Sequence, residues 1–210
     1  LCSFLTFLLI SFSLQAQKVG LVLSGGGAAG LAHIGVIKAL EENEIPIDYI
    51  TGTSMGALIG GLYASGFSVE EIIEFAKSPE FLMAIQGELD KSDVYYFTQD
   101  IEDASIIRIK VNPKNVLSAN LPTNLVTPDL MEYMFMDVFS GPAAVANYDF
   151  DSLMVPFRCV AADVAEKKEV IFSEGSLAKA LRATTTYPFY FQPISVNGKL
   201  LFDGGLYNNF

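Results

Sequence analysis

The sequence predicts an α/β domain built on a central, mostly parallel sheet covered by helices on both faces. Three observations predict it. Short apolar runs at 18–23 (KVGLVL) and 49–51 each lead into a glycine-rich turn, and each turn leads into a segment with helical patterning. Strand–turn–helix repeated in this way is the signature of parallel strands joined by right-handed crossovers, which puts both turns at the C-terminal edge of the sheet. A third apolar run, 155–162 (VPFRCVAA), lacks the alternation of a half-exposed strand and reads as buried on both faces.

The elements follow in order. After the first strand comes SGGGAAG, then a helix whose apolar face is Leu31, Ile34, Ile37 and Leu40, with Val36; Asn43 lies near its end and Pro46 stops any continuation. A second helix, rich in small residues, covers 55–64 and is closed by Gly66. Ser68 with Glu71 forms a capping box for a third helix reaching Lys77. The stretch 79–126 is less legible: 104–111 (ASIIRIKV) reads as a strand and 112–124 as a loop. Thr127-Pro128 opens a helix to about Phe139, with proline at its first position. Ser176 caps a helix to about Ala183, and strands 194–196 and 199–202 flank Asn197-Gly198, a strong two-residue hairpin signal. The second arm of that hairpin delivers Asp203-Gly204-Gly205.

With 210 residues and 51% hydrophobic content, the chain suffices for one domain with a sizeable core, whereas two would be cramped. A formal net charge of −11 excludes a nucleic-acid partner, because phosphates would be repelled, and leaves lipid contact to apolar surface alone. Residues 1–16 (LCSFLTFLLISFSLQA) are uncharged and mostly apolar, and too short to span a membrane comfortably. They read as a secretory signal entered part-way, ending at Ala16, with the mature domain at 17–210 and export to the periplasm, outer membrane or cell surface. The alternative is a hydrophobic first helix of the fold. Cys2 would leave with the signal, so Cys159 has no disulfide partner and reads as a core residue. No clustering of His, Cys or carboxylates has metal-ligand spacing, and no cofactor is called for.

Ser54 stands in Gly52-Thr53-Ser54-Met55-Gly56, the G-x-S-x-G of a hydrolase nucleophile, between a strand and a helix. A glycine-rich helix start with a capping serine is the structural alternative. Gly25-Gly26-Gly27-Ala28-Ala29-Gly30 can present amides to a negative oxygen, but Gly25, Gly27 and Gly30 also fit the dinucleotide fingerprint. That fingerprint needs an acidic residue after the second strand; Asp48 precedes it instead, so an oxyanion loop of Gly25, Gly26 and Gly27 fits better. A serine nucleophile usually has a histidine base, and the single histidine, His33, lies upstream beside the glycine loop, where packing or loop bracing explains it. Asp203 is the remaining candidate base, in apolar surroundings that would raise its pKa; on composition alone, a turn aspartate capping its own backbone is the commoner occurrence.

Three blocks, GLVLSGGGAAGLAHIGVIKALEE, IDYITGTSMGALIGGLYASG and FDGGLYNN, resemble the patatin-like phospholipases in order and spacing, over roughly 18–210. The segment from YDFDSLMVPFRCVAAD to SLAKALRA is similar to the bacterial branch of that family. The resemblance implies a patatin-like α/β/α fold and a Ser-Asp dyad without a catalytic histidine. Ser54 would be the nucleophile and Asp203 the base, with oxyanion donors at Gly25–Gly27, the elbow at Gly52 and Gly56, and the D-G-G motif completed by Gly204 and Gly205. The implied activity is hydrolysis of phospholipid or lysophospholipid at a membrane or micelle surface, through an acyl-serine and without cofactor. The family motif continues past Phe210, so a continuing domain is expected, which in secreted bacterial relatives can precede an outer-membrane barrel. Two departures stand out. Ala29 occupies the place of a usual Arg or Lys, and RATTTYPFYFQPI replaces a more usual A-S-x-A-x-P run. Its aromatics (Tyr187, Phe189, Tyr190, Phe191) line an acyl channel or pack in the core, with packing the expectation. The competing functions are a lipid-binding relative without turnover and, further off, a dinucleotide-binding domain.

Overall fold

The computed structural model describes residues 17–87 and 125–209. The expected signal at 1–16, the strand at 104–111 and the loop at 112–124 lie outside the described residues.

Among the described residues, six strands form one mixed sheet: β1 Gly20–Leu23, β2 Tyr49–Thr53, β3 Phe157–Asp163, β4 Lys168–Phe172, β5 Ile194–Val196 and β6 Lys199–Asp203. β1, β2 and β3 pair in parallel, while β3–β4, β3–β6 and β5–β6 are antiparallel. Strands β1, β2, β3 and β5 therefore run one way and β4 and β6 the other, in keeping with a mostly parallel sheet.

The register around β3 positions everything that follows. Cys159 and Val160 of β3 pair with β2 on one side and β4 on the other. Ala161, Ala162 and Asp163 pair with β4 and with β6. Because a strand has only two edges, β2 and β6 share the same edge of β3. They approach from opposite directions, and their C-terminal ends meet.

The helices are α1 Ala32–Glu42, α2 Met55–Ala64, α3 Val69–Lys77, α4 Pro79–Gln86, α5 Asp129–Val145 and α6 Leu177–Thr184. α2 is apolar on all sides and almost wholly buried against β1, β2 and β3, as an all-apolar helix must be. Its glycines permit the approach: a Cβ at Gly60 would stand 2.7 Å from Ile50 Cγ2. α6 packs on β3 and β6, and α5 lies along α6, bringing Phe135 and Phe139 into the core edge-to-face at 5.8 Å.

Several sequence signals act as expected. Ser68 and Glu71 make the reciprocal capping box that starts α3, and Ser176 accepts from Lys179 N to start α6. The hairpin turns at Asn197-Gly198, both at positive φ. α5 departs from expectation. Pro128 sits at its N-cap, and the helix runs on through Gly141-Pro142 to Val145 because Ala143 packs into the core. Two elements went unread. α4 starts with Ser78 capping Phe81 N and Pro79 in first position. β4 folds back on β3 through a turn in which Asp163 Oδ1 accepts from Ala165 N and Glu166 N, both at 3.0 Å.

Candidate active site

Ser54 stands between the end of β2 and the start of α2 in a conformation that side chains seldom adopt, φ 52° and ψ −124°. Holding a non-glycine residue there costs about 1–3 kcal/mol, and persists only where the surroundings enforce it. The surroundings do. A Cβ at Gly52 would lie 2.6 Å from Ala57 N, and one at Gly56 would strike the carbonyl oxygens of Leu23 and Ser24. Strand, helix and the end of β1 are packed backbone to backbone, and Ser54 lines the cleft beside them. Ser54 N donates to Thr184 Oγ1 at 2.9 Å, and the Thr184 hydroxyl donates to Val160 O. Thr184, fully buried at the end of α6, thus ties the elbow to β3.

Asp203 arrives from the opposite direction along β3. Its amide donates to Thr186 O at 2.8 Å, and its Oδ1 accepts from Gly205 N at 2.8 Å. The Ser54 side chain lines the same cleft, near enough to lower the pKa of this carboxylate. Asp203 is only 5% exposed, and burial pushes its pKa above the ordinary carboxylate value; Ser54 and the Gly205 amide pull the other way without cancelling it. Gly204 allows the approach, since a Cβ there would collide with Val160 O.

The glycine loop lies against both. Gly25, Gly26, Gly27, Ser54 and Asp203 line one cleft of about 340 Å³, bounded by Tyr187, Leu206 and Asn209. The three glycines differ. Gly25 N donates to Asn209 Oδ1 at 2.7 Å, whereas the Gly26 and Gly27 amides make no hydrogen bond to a described residue. The Met55 amide, first of α2, is likewise unpartnered among the described residues. Ala29, where a cation was usual, is exposed on the turn that starts at Gly27. His33 Nε2 donates to Ser24 O at 2.9 Å, bracing the loop. Asp48, the carboxylate weighed for a ribose, accepts from Val19 N at 2.7 Å near the opposite, N-terminal end of β2.

A second cavity of about 570 Å³ opens from the same point. Gly26, Gly27, Ser54 and Tyr187 belong to both, and beyond them the walls are apolar: Leu58, Phe81, Ile85, Phe135, Tyr190 and Phe191. The aromatic run therefore divides. Phe191 is buried and Tyr190 anchored by its hydroxyl on Ile85 O at 2.9 Å, yet both also wall the channel. Tyr187 and Phe189 are exposed, so core packing alone does not account for the run. Arg182, fully buried, holds the loop that carries these residues: it donates to Thr186 Oγ1 and to Gln192 O, lies 5.4 Å over the Phe191 ring, and pairs with Glu132 of α5 at 3.4 Å. Burial lowers its pKa and Glu132 opposes that.

Thr184, Thr186, Arg182 and Asn209 are the site residues that sequence reasoning missed. In the sequence RATTTYP stands out only as a departure from the family pattern, and Asn209 only as part of a motif. Cys159 is buried in β3 with its thiol pKa raised by burial. Among the described residues, no group of three or more His, Cys, Asp or Glu side chains gathers as a metal site, and no helix is long and apolar enough to cross a membrane.

Comparison with known proteins is decisive at the family level. The family model for patatin-like phospholipases matches residues 21–210. This chain belongs to the patatin-like phospholipase family. It is 31% identical over 205 residues to the lysophospholipase NTE1 of Kluyveromyces lactis, covering 97% of this chain but 12% of that protein. It is 32% identical over 192 residues to an NTE family protein of Mycobacterium tuberculosis, covering 91% of this chain and 44% of that protein. The chain thus spans less than half the length of these relatives. Among solved structures it is similar in fold to VipD from Legionella pneumophila, with TM-score 0.56 and 15% identity over 92% of this chain and 47% of that one.

Proposed function

We propose that this patatin-like domain is a serine acyl hydrolase that cleaves fatty acyl esters of phospholipids or lysophospholipids. The observation that carries the reading is that Ser54 and Asp203 line one polar cleft at the point where it meets an apolar channel. Asp203 accepts the Ser54 proton as the hydroxyl oxygen attacks the ester carbonyl. The tetrahedral oxyanion is received by the amides of Gly26 and Gly27, which bond to no described residue, with Met55 N at the helix start. Collapse expels the alcohol of the lipid, which takes the proton from Asp203 and leaves an acyl-serine. Water, deprotonated by Asp203, releases the fatty acid and restores Ser54. The acyl chain lies in the channel walled by Leu58, Phe135 and Phe191, and the polar part of the lipid in the cleft.

The NTE1 name of the Kluyveromyces relative supports a lysophospholipid among the substrates. Contact with a membrane or micelle surface is supported by apolar side chains around the cleft mouth: Phe189 is 82% exposed, and Tyr187, Leu206 and Tyr207 are all about half exposed or more. Export rests on the apolar run at 1–16 and is proposed from the sequence alone.

The test is covalent labelling by a fluorophosphonate together with release of p-nitrophenol from acyl esters. Labelling confined to Ser54, with turnover lost in Ser54→Ala and Asp203→Asn, is the expected result. Wild-type protein that binds lipid yet is neither labelled nor active would favour the non-hydrolytic relative instead.

A further inference from the structure

Resting on that hydrolytic reading, we infer that His33 and Asn209 act together as positioning residues, clamping a single peptide plane so that the oxyanion amides face the cleft. The plane is the one joining Ser24 to Gly25. Its carbonyl accepts from His33 Nε2 at 2.9 Å, and its amide donates to Asn209 Oδ1 at 2.7 Å. In a trans peptide the C=O and N–H point in opposite directions, so the two side chains grip opposite edges of one rigid unit. One bond alone would leave the plane free to rock about it; two fix its orientation.

That orientation matters because the chain has little else to set it. Gly26, at φ 179°, follows directly, and Gly27 is at φ 53°, so two permissive residues carry the amides that receive the oxyanion. On their N-terminal side the clamped plane is the nearest fixed point. It is also pressed against the nucleophile, since a Cβ at Gly25 would lie 2.9 Å from Ser54 Cβ and 3.1 Å from Asn209 Oδ1.

The clamp is itself anchored. Asn209 follows Asn208, whose carbonyl accepts from Thr53 Oγ1 at 3.0 Å and whose side chain donates to Glu169 of β4 at 2.7 Å. Asn209 is therefore held to the last residue of β2, next to Ser54, and transmits that position to the glycine loop. His33 holds the other edge from the first turn of α1. The one histidine of this chain thus acts on the reaction through the backbone, by orienting a peptide, and takes no proton from Ser54.

The arrangement also assigns different duties to the three glycines. The Gly25 amide is spent on Asn209, which leaves Gly26 and Gly27 as the loop's donors to the oxyanion.

The experiment reads the clamp and its consequence separately. By amide hydrogen exchange followed by NMR, the Gly25 amide of wild-type protein should be protected while those of Gly26 and Gly27 exchange freely. Asn209→Leu should abolish the Gly25 protection. On p-nitrophenyl butyrate, Asn209→Leu and His33→Phe should each lower kcat by about 10²-fold with KM within about twofold, as misplacement near the reacting centre does. Affinity for an alkyl boronic acid, which forms a tetrahedral adduct on Ser54, should fall in parallel, while affinity for the fatty acid product holds. His33→Gln, which can still donate to Ser24 O, should recover most of the loss.

Equal exchange at all three glycines in the wild type would overturn the clamp, whatever the variants do. So would an active enzyme in which both variants keep kcat, or in which boronic acid and fatty acid affinities fall together. A wild type with a protected Gly25 that hydrolyses no ester and binds no boronic acid would instead overturn the hydrolytic reading and leave the clamp as a structural brace.

Discussion

Thr53 and Asp203 end two different strands opposite adjacent residues of a third: Thr53 pairs with Val160 and Asp203 with Ala161. Strand β2 runs parallel to β3 and strand β6 antiparallel to it along the same edge, so their C-terminal ends converge head-on. Ser54, the proposed nucleophile, follows one end directly, and Asp203 is the other. The proposed dyad is positioned by backbone pairing, which needs no third side chain to orient Asp203. The buried carboxylate supplies a further consequence. Asp203→Asn keeps an oxygen for Gly205 N but removes a charge that burial disfavours. The pKa of Asp203 is raised on folding, so the native state holds its proton more tightly, and stability falls as pH rises from the unfolded pKa through the folded one. Asp203→Asn should therefore lose turnover by about 10⁴-fold, as removal of a dyad or triad member does. It should also melt at a higher temperature than wild type at pH 8, with the gap closing on acidification into the range of ordinary carboxylates. Calorimetry at three pH values checks the sign, and a variant less stable at pH 8 would mean that the carboxylate's hydrogen bonds outweigh its desolvation.

The same displacement sets the acid limb of activity. In the proposed mechanism Asp203 must be ionised to accept the serine proton, and its pKa lies above the usual carboxylate value because it is buried. Single-turnover acylation should fall as pH drops through that raised value, and there should be no second inflection that disappears with His33→Gln. The Ser54 side chain lowers the carboxylate pKa, so in Ser54→Ala the group should titrate at still higher pH. NMR titration of the carboxyl carbon in the two proteins measures this.

Much of this was legible in the sequence, and the rest was not for identifiable reasons. Gly52, Ser54 and Gly56 announce the elbow because local steric demand leaves few residue choices where strand and helix touch. Ser68 and Glu71, or Asn197-Gly198, are likewise local signals, and their elements formed as read. The direction of β6 against β3 is not local: a hairpin signal states that two strands pair with each other, and nothing about which third strand receives them. β4 was lost because its five residues, KEVIF, are short and follow a charged turn. α4 carried a readable start in Ser78-Pro79-Glu80, obscured by the uninformative stretch that follows it. Thr184 and Asn209 were invisible as functional residues because each acts through a hydrogen bond to a backbone group, 130 and 184 residues away in sequence.

Thr184 deserves a direct test because its hydroxyl serves two partners. It accepts from Ser54 N and donates to Val160 O in a fully buried setting. Thr184→Val keeps the shape and leaves both backbone groups unsatisfied, at a cost of about 1–3 kcal/mol. Denaturant melts should show that loss, and kcat should fall as the elbow relaxes from its left-handed φ. Thr184→Ser should restore both. A valine variant with wild-type stability would show that water or a backbone shift replaces the hydroxyl.

The channel makes a prediction about acyl length. Ile85 contributes to its wall and is fixed by the Tyr190 hydroxyl on its carbonyl. Ile85→Trp should narrow the apolar cavity without touching the cleft that holds Ser54 and Asp203. Across a series of p-nitrophenyl esters, the optimum should move to shorter chains, with long-chain kcat/KM reduced about tenfold or more, since each methylene denied burial forfeits about 0.8 kcal/mol. Unchanged chain preference would place the acyl group elsewhere.

Phe189 tests how the lipid is reached. It holds φ 66° with its ring 82% exposed, next to Pro188 at the cleft and beside Leu125, whose amide donates to Phe189 O at 3.1 Å. A bulky residue in that backbone region is strained, and its exposed ring gains nothing in water. Inserted into lipid, a Phe side chain recovers about 1.5–3 kcal/mol, which corresponds to about ten- to a hundredfold in affinity. With a net charge of −11, the surface to use is zwitterionic phosphatidylcholine, where headgroup attraction contributes little. Ser54→Ala protein, which cannot turn over, should cosediment with such vesicles, and adding Phe189→Glu should weaken that binding by about the same factor. In the active background, Phe189→Glu should cost far more on vesicle substrate than on soluble p-nitrophenyl butyrate. Equal losses on both would mean that Phe189 shapes the cleft itself, and unchanged cosedimentation would mean that lipid is met by another surface.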